Sequence, residues 1–261
     1  MRHLQNFLGP IISVCLLPGI AHADERIFVL ENEGWELVAT ENDAGGEASA
    51  IALLFHGASR DRSRYDQLAD LLAEANIASI RMDLRGHGES TNIRTFDYSG
   101  FGVLPEDDPE VMVNRAIIAD SDRDVAALQE WVSQQAHYQD LPLIVLGASY
   151  SGEEIAQAGA TAGFGDLYIQ LSPGSFSEES IAQINSSGGR WLFVRADVER
   201  SFFPPLFEDI AEGSDAEIWV LEGEGHADRL LTSHPELLAR LRDWISTKLG
   251  NSDAIGVSAP R

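Results

Sequence analysis

The stretch LIVLGASYSG, residues 143–152, decides the fold of this chain. It begins as an apolar run and ends in a glycine-bracketed turn that carries two serines, Ser149 and Ser151. A continuous apolar run of about four to eight residues is typical of a strand buried on both faces. Serine and glycine are ordinary turn residues, so the turn alone does not show whether either hydroxyl is reactive.

Runs of the same kind recur along the chain and alternate with helical patterns. Strands are predicted at 26–31, 35–40, 50–55, 77–82, 143–146, 166–171, 191–194 and 217–221. Helices are predicted at 63–75, 112–136, 152–162, 178–185, 203–212 and 235–249. Alternation of strand and helix indicates an α/β fold, with a mostly parallel central sheet covered by helices on both faces. We expect one domain over 24–249 and a flexible tail over 250–261.

The first residues have the pattern of a secretory signal peptide. Arg2 precedes an apolar run over 7–20, which ends in the cleavage-type triplet Ala-His-Ala at 21–23. This pattern predicts a signal peptide over 1–23 and an exported protein, periplasmic or extracellular. The single cysteine, Cys15, lies inside that segment, so the mature chain is expected to contain no disulfide.

The charge of the chain restricts its partners. The formal net charge is −24, from 42 acidic and 18 basic residues, and Lys248 is the single lysine. Such an excess of negative charge argues against binding to nucleic acid and to anionic membrane surfaces. The expected partner is a small molecule, with no membrane association after signal cleavage, and the oligomeric state stays open.

Polar residues follow the predicted strands, at the edge where open α/β sheets bind their ligands. In chain order these segments are HGAS at 56–59, DLRGHGES at 83–90, GASYSG at 147–152, RADVE at 195–199 and GEGHAD at 223–228. They hold a serine, acids and histidines beside glycine or alanine, as a site for nucleophilic catalysis requires.

These segments, in this order, resemble the motifs of the α/β-hydrolase family. HGAS resembles the family's His-Gly oxyanion loop, DLRGHGES its D-x-R-G-x-G-x-S segment, and GASYSG its nucleophile elbow. The resemblance extends over 26–249 and implies a serine hydrolase of esterase type that needs no cofactor or metal. The elbow departs from the G-x-S-x-G pattern because Ser151 replaces the second glycine, although serine is small enough for the turn.

The resemblance assigns roles to residues in the family's order of serine, acid and histidine. It implies that Ser149 is the nucleophile and that His226 is the base. The acid is either Glu199 or Asp197. Glu199 is favoured because it lies three residues past the small Ala196, whereas Asp197 lies nearer the strand and is the residue type more often used.

The same resemblance indicates that the backbone N–H groups of Ala58 and Tyr150 form the oxyanion hole. Ser151 is the rival nucleophile. His56 and His87 are interpreted as structural or site-shaping, because no histidine spacing in the chain is typical of a metal site.

The substrate is predicted to be a small or soluble acyl ester. The connection after the strand at 166–171 is too short for a lid domain, and the only spare segment is 91–112. That segment is either a surface loop or an apolar wall of the site. Three alternatives remain open: a peptidase or amidase that uses the same triad, a cofactor-free enzyme of peroxide-dependent or other non-hydrolytic chemistry, and a non-catalytic binding protein on the same fold.

Overall fold

The computed structural model describes residues 25–44, 48–163, 165–174, 176–187, 189–201 and 216–250. The predicted signal peptide, the predicted helix at 203–212 and tail residues 251–261 lie outside these ranges. None of the described helices is both long and apolar enough to cross a bilayer.

Eight strands form one sheet in the order β1-β2-β4-β3-β5-β6-β7-β8. They are β1 (Glu25–Asn32), β2 (Trp35–Asn42), β3 (Ala50–Phe55), β4 (Ile77–Met82), β5 (Leu143–Ala148), β6 (Leu167–Leu171), β7 (Arg190–Ala196) and β8 (Glu217–Leu221). β2 is antiparallel to β1 and β4, and the other neighbours are parallel. The prediction of a mostly parallel sheet is therefore confirmed.

Helices cover both faces of the sheet. They are α1 (Asp66–Glu74), α2 (Pro109–Ala119), α3 (Asp122–Gln134), α4 (Ser151–Ala162), α5 (Glu178–Ser186), α6 (Arg229–Ser233) and α7 (Glu236–Lys248). Leu68 of α1 and Leu241 of α7 belong to one buried cluster, whereas Leu128 of α3 and Ile155 of α4 belong to the other. The strands between them are apolar on both sides because each side faces a helix layer.

The helix predicted at 112–136 is in fact two helices, so this prediction was wrong. Helix α2 starts at Pro109, where the Asp108 side chain accepts from the Glu110 N–H at 2.9 Å. It ends at Ala119, and α3 begins at Asp122. Between them, the Ser121 hydroxyl donates to the Ile117 carbonyl at 2.9 Å, which satisfies an end-of-helix carbonyl. The short helix α6 was not predicted.

His56 and His87 hold the loops that follow β3 and β4. The Leu84 N–H donates to His56 Nε2 at 3.1 Å, so His56 carries its proton on Nδ1 and donates to the Gly57 carbonyl at 2.9 Å. Burial lowers the pKa of His56 to about 4 and that of His87 to about 3. Both rings are therefore neutral at ordinary pH and act as fixed parts of these loops.

Candidate active site

Ser149 stands on a strained turn between β5 and α4. Its φ is +56°, a left-handed conformation that residues other than glycine rarely adopt. Its N–H donates to the Leu171 carbonyl at the end of β6 at 3.0 Å. Its own carbonyl accepts from the N–H groups of Gly152 at 3.1 Å and Gly174 at 3.0 Å. These bonds hold the turn in place and present the Ser149 side chain above the sheet edge.

Small residues surround Ser149 because the backbones approach closely there. A Cβ added at Gly147 would lie 2.5 Å from Ile155 Cδ1 and 3.1 Å from the Ser151 carbonyl oxygen. A Cβ at Gly152 would lie 2.9 Å from Pro173 Cβ. The motif therefore needs its glycines for close approach, one before the serine and one after the substituted position.

Ser151 has a different environment from Ser149. It is fully buried, and its hydroxyl accepts from the Ala148 N–H at 2.7 Å. Its proton is directed at the carbonyls of Ala148, at 3.0 Å, and Phe55, at 3.2 Å. Ser151, which replaces the usual glycine, thus links the ends of β3 and β5 through its hydroxyl. The structure does not bring this hydroxyl to His226.

His226 lies in the loop after β8 and faces Ser149. The distance from His226 Nε2 to Ser149 Oγ is 3.1 Å. On the other side of the ring, His226 Nδ1 lies 2.5 Å from Glu199 Oε1. The next residue, Ala227, has φ +56°, and the Arg229 N–H donates to the His226 carbonyl at 3.1 Å. The loop geometry therefore aims the imidazole at both partners.

Of the two predicted acids, the structure brings Glu199 and not Asp197 to His226. A 3₁₀ turn over Asp197–Ser201 follows β7 and carries the buried Glu199 side chain back towards the sheet edge. Glu199 Oε2 accepts from the Ser172 hydroxyl at 2.7 Å and from the Ala196 N–H at 3.0 Å. Asp197 is exposed and instead accepts from the Gly223 N–H at 3.0 Å.

Ser172 is a site residue that the sequence reasoning missed. It directly follows β6, is buried, and has φ +44°. A signal was present, because Ser172 occupies the strand-end position at which the other site residues were found. Its hydroxyl holds the carboxylate oxygen that does not contact His226, so it orients Glu199.

A cavity of about 520 Å³ opens beside Ser149. Ala58 and Tyr150 both line it, as does Gly57, where an added Cβ would lie 3.4 Å from Ser149 Cβ. Within the described part of the chain, neither the Ala58 N–H nor the Tyr150 N–H donates to an acceptor. Both amides are thus available to a ligand atom next to Ser149.

The segment 91–112 contributes one aromatic side chain to this cavity. Tyr98 lines it and stacks on Phe101 with a ring-centroid distance of 4.9 Å. Beneath them, Phe96 is buried against the His87 ring at 4.7 Å. Val103 and Leu104 are exposed. The segment is therefore mostly surface loop, with Tyr98 as its wall towards the cavity.

Among the described residues, no group of three or more histidine, cysteine, aspartate or glutamate side chains is arranged to hold a metal ion.

Comparison with known proteins identifies one family model and several solved structures that this chain resembles. Residues 46–162 match the family model described as serine aminopeptidase, S33. No curated protein matches the chain in sequence.

Solved structures share the fold at low sequence identity. Dienelactone hydrolase from Anabaena variabilis has a TM-score of 0.64 at 15% identity, over 88% of this chain and 98% of that chain. Est1E from Butyrivibrio proteoclasticus, with ferulic acid bound, has a TM-score of 0.66 at 13% identity, over 85% and 99%.

An α/β serine hydrolase without lid from Xanthomonas campestris has a TM-score of 0.60 at 17% identity, over 91% of this chain and 97% of that chain. The strand order, the sequence motifs and these likenesses agree with one another. The chain therefore has the α/β-hydrolase fold, and its residues 46–162 match a serine aminopeptidase family model.

Proposed function

We propose that this protein is a serine hydrolase that cleaves small or soluble acyl esters. The observation that carries the proposal is the chain of contacts from Ser149 Oγ to His226 Nε2, at 3.1 Å, and from His226 Nδ1 to Glu199 Oε1, at 2.5 Å. A serine hydroxyl becomes a useful nucleophile only when a base within hydrogen-bond reach takes its proton. A buried carboxylate on the far side of the ring keeps Nε2 free for that task.

The first half of the reaction forms an acyl-enzyme. Ser149 Oγ bonds to the ester carbonyl carbon while its proton moves to His226 Nε2. The carbonyl electron pair moves onto oxygen, and the Ala58 and Tyr150 N–H groups bind the resulting oxyanion. Each such donor stabilises the transition state by about 3–4 kcal/mol. When the intermediate collapses, the C–O bond to the alcohol breaks and His226 returns the proton to the leaving oxygen.

The second half hydrolyses that intermediate. A water molecule attacks the acyl carbon, and His226 Nε2 takes its proton. Collapse then releases the carboxylic acid and returns the proton to Ser149 Oγ. Throughout both halves, Glu199 stabilises the charged imidazole, and the Ser172 and Ala196 donors keep the carboxylate oriented.

The preference for small or soluble esters is supported by the openness of the site. Only residues 172–177 connect β6 to α5. The cavity of about 520 Å³ suits a compact acyl group, with Tyr98 and Tyr150 as its aromatic walls. Structural neighbours named as a dienelactone hydrolase and as an esterase of Pyrococcus furiosus are consistent with ester chemistry.

The test is covalent labelling with a fluorophosphonate probe, combined with hydrolysis of a 4-nitrophenyl ester of short chain length. Ser149→Ala is expected to lose the label and to lower kcat by about 10⁴-fold or more, because it removes the hydroxyl that lies 3.1 Å from His226 Nε2. Ser151→Ala is the matched control, with labelling retained and some loss of stability. A labelled, fully active Ser149→Ala variant would overturn the proposal.

A second candidate is an amide-cleaving enzyme, which the match to a serine aminopeptidase family supports. The same triad cleaves amides, so the discrimination depends on the substrate. Paired assays of an amino-acid 4-nitroanilide and the corresponding 4-nitrophenyl ester separate the two. A non-catalytic binding protein, the third reading, predicts no labelling at Ser149.

A further inference from the structure

Two arginines line the Ser149 cavity in a chain that is otherwise strongly acidic. Arg60 follows the HGAS loop, and Arg229 begins helix α6, three residues after His226. Among the described residues, Asp228 is the only carboxylate that lines the same cavity. With 42 acidic and 18 basic residues in the chain, two cations against one anion is an unusual local balance.

The ion pairs of this region leave positive charge uncompensated. Asp228 is buried, and its Oδ2 accepts from Arg64 Nε at 2.6 Å. Arg60 Nε lies 3.8 Å from Asp228 Oδ1, beyond hydrogen-bond distance. Because Arg64 already balances the single charge of Asp228, Arg60 contributes an excess charge to the cavity.

Arg229 makes fewer ionic contacts than Arg60. Its side chain is exposed and makes no ion pair with any described carboxylate. Some arginines elsewhere are held by two acids: Arg62 contacts Asp83 and Glu89, and Arg81 contacts Glu25 and Asp66. Among the described residues, Arg229 is therefore a guanidinium that lines the Ser149 cavity without a carboxylate partner.

We propose that Arg60 and Arg229 form a carboxylate-binding subsite beside Ser149, so that the preferred substrates are esters that carry a second, anionic carboxylate group. This inference rests on the proposed function, because it names a substrate class for the same site. The planar guanidinium group suits a carboxylate, since it can donate two parallel hydrogen bonds to it.

The overall charge of −24 does not prevent such binding. At physiological ionic strength the Debye length is about 8 Å, so distant surface carboxylates are largely screened. A substrate carboxylate in contact with Arg60 or Arg229 interacts within that distance. The local pair of arginines therefore outweighs the repulsion from the rest of the surface.

The experiment compares esters that differ only in charge. One pair is the monophenyl ester of adipic acid and its terminal carboxamide, which place the group on the acyl side. The other pair is 3-carboxyphenyl acetate and 3-carbamoylphenyl acetate, which place it on the alcohol side. The readout is the ratio of kcat/KM for the charged and neutral members, after subtraction of spontaneous hydrolysis.

The wild-type protein is expected to prefer the charged member of at least one pair by about five- to tenfold. Arg229→Gln and Arg60→Gln are each expected to lower that ratio by about threefold or more. Arg242→Gln removes the same charge from helix α7, where Arg242 pairs with Asp243, and is expected to leave the ratio unchanged. A wild-type preference for the neutral member of both pairs, or an unchanged ratio in both cavity variants, would overturn the subsite.

A binding measurement separates this inference from the proposed function. Calorimetry with Ser149→Ala measures the affinity for each ester without turnover. Tighter binding of a charged ester, weakened further by Arg229→Gln in the same background, supports the subsite even if the wild type hydrolyses neither member. Equal binding of the charged and neutral esters would overturn the proposed subsite. Hydrolysis of the neutral esters by the wild-type protein would still support the proposed function.

Discussion

Glu199 and Asp197 follow the same strand, yet only Glu199 contacts His226. From the sequence, both positions were plausible, because the spacing of three residues past Ala196 favoured Glu199, whereas nearness to the strand and side-chain type favoured Asp197. The 3₁₀ turn over Asp197–Ser201 determines which acid contacts His226, because it places the Glu199 carboxylate against the Ala196 N–H and the Ser172 hydroxyl. A backbone turn of this kind has no characteristic sequence pattern, so the sequence could rank the two acids but could not decide between them.

Substitution of each acid by its amide tests the assignment. Glu199→Gln keeps the shape of the side chain but removes the charge that stabilises the imidazolium, and kcat is expected to fall by about 10³-fold or more. Asp197→Asn is the matched control. Its side-chain oxygen still accepts from the Gly223 N–H, so its kcat on the same ester is expected to stay close to that of the wild type. The opposite ranking would move the acid role to Asp197.

At the scale of elements, strands were more predictable than helices. The predicted bounds of β3, β4 and β8 coincide with those of the structure, because a continuous apolar run between polar turns admits few other readings. The division between α2 and α3 was missed, since no glycine or proline occurs at 120–121 to signal it. Polar residues alone, with the Ser121 hydroxyl bonded to the Ile117 carbonyl, end the first helix there.

The packing of α4 against the start of α3 buries a carboxyl group, and this gives a pH-dependent prediction. Glu154 is buried, and its Oε2 has no hydrogen-bond partner among the described residues. Burial raises the pKa of Glu154 to about 9, and the negative charges of Asp122 and Glu153 add to the rise. The folded protein therefore keeps the proton over a pH range in which the unfolded chain releases it.

Replacement by glutamine is expected to stabilise the protein increasingly as pH rises. Below the ordinary glutamate pKa both states are protonated, so Glu154→Gln has little effect near pH 4.5. Between that pH and about 9, the wild type loses free energy of unfolding that the variant keeps, on the order of a few kcal/mol at pH 8. Thermal melts at several pH values measure the difference.

Glu179→Gln, at an exposed position of α5, is the control that removes one charge from the surface. It is expected to shift Tm only slightly, and by a similar amount at each pH. If Glu154→Gln behaved in the same way as this control, the buried carboxyl would not be the cause.

At the scale of the whole molecule, the excess of acidic side chains opposes folding. Carboxylates outnumber cations by 42 to 18, and compaction brings them closer together. Several of the cations are held in pairs, such as Arg26 with Glu41 and Lys248 with Glu217, yet most acids have no such partner available. The composition predicts the negative sign of the net charge. It does not predict the two arginines at the cavity, because the fold brings them together from distant parts of the chain.

Added salt is accordingly expected to stabilise the protein. Raising NaCl from about 20 mM to about 200 mM shortens the range of the repulsion, and Tm is expected to rise by a few degrees. Melting curves followed by circular dichroism measure this, and KCl at equal ionic strength serves as the control for ion-specific binding. A Tm that falls with NaCl would mean that the loss of favourable ion pairs outweighs the relief of repulsion.

Ser149 and His226 are 77 residues apart in the chain, and under the proposed function this separation sets the moment at which the protein becomes active during its synthesis. The serine follows β5, the acid follows β7 and the histidine follows β8, so contacts between them require the C-terminal half of the sheet to be paired. Contacts between distant residues form slowly, because a long loop must close first. If the proposed function is correct, a nascent chain that has not yet emerged through β8 has a nucleophile without a base, and it hydrolyses no ester until β8 has joined the sheet.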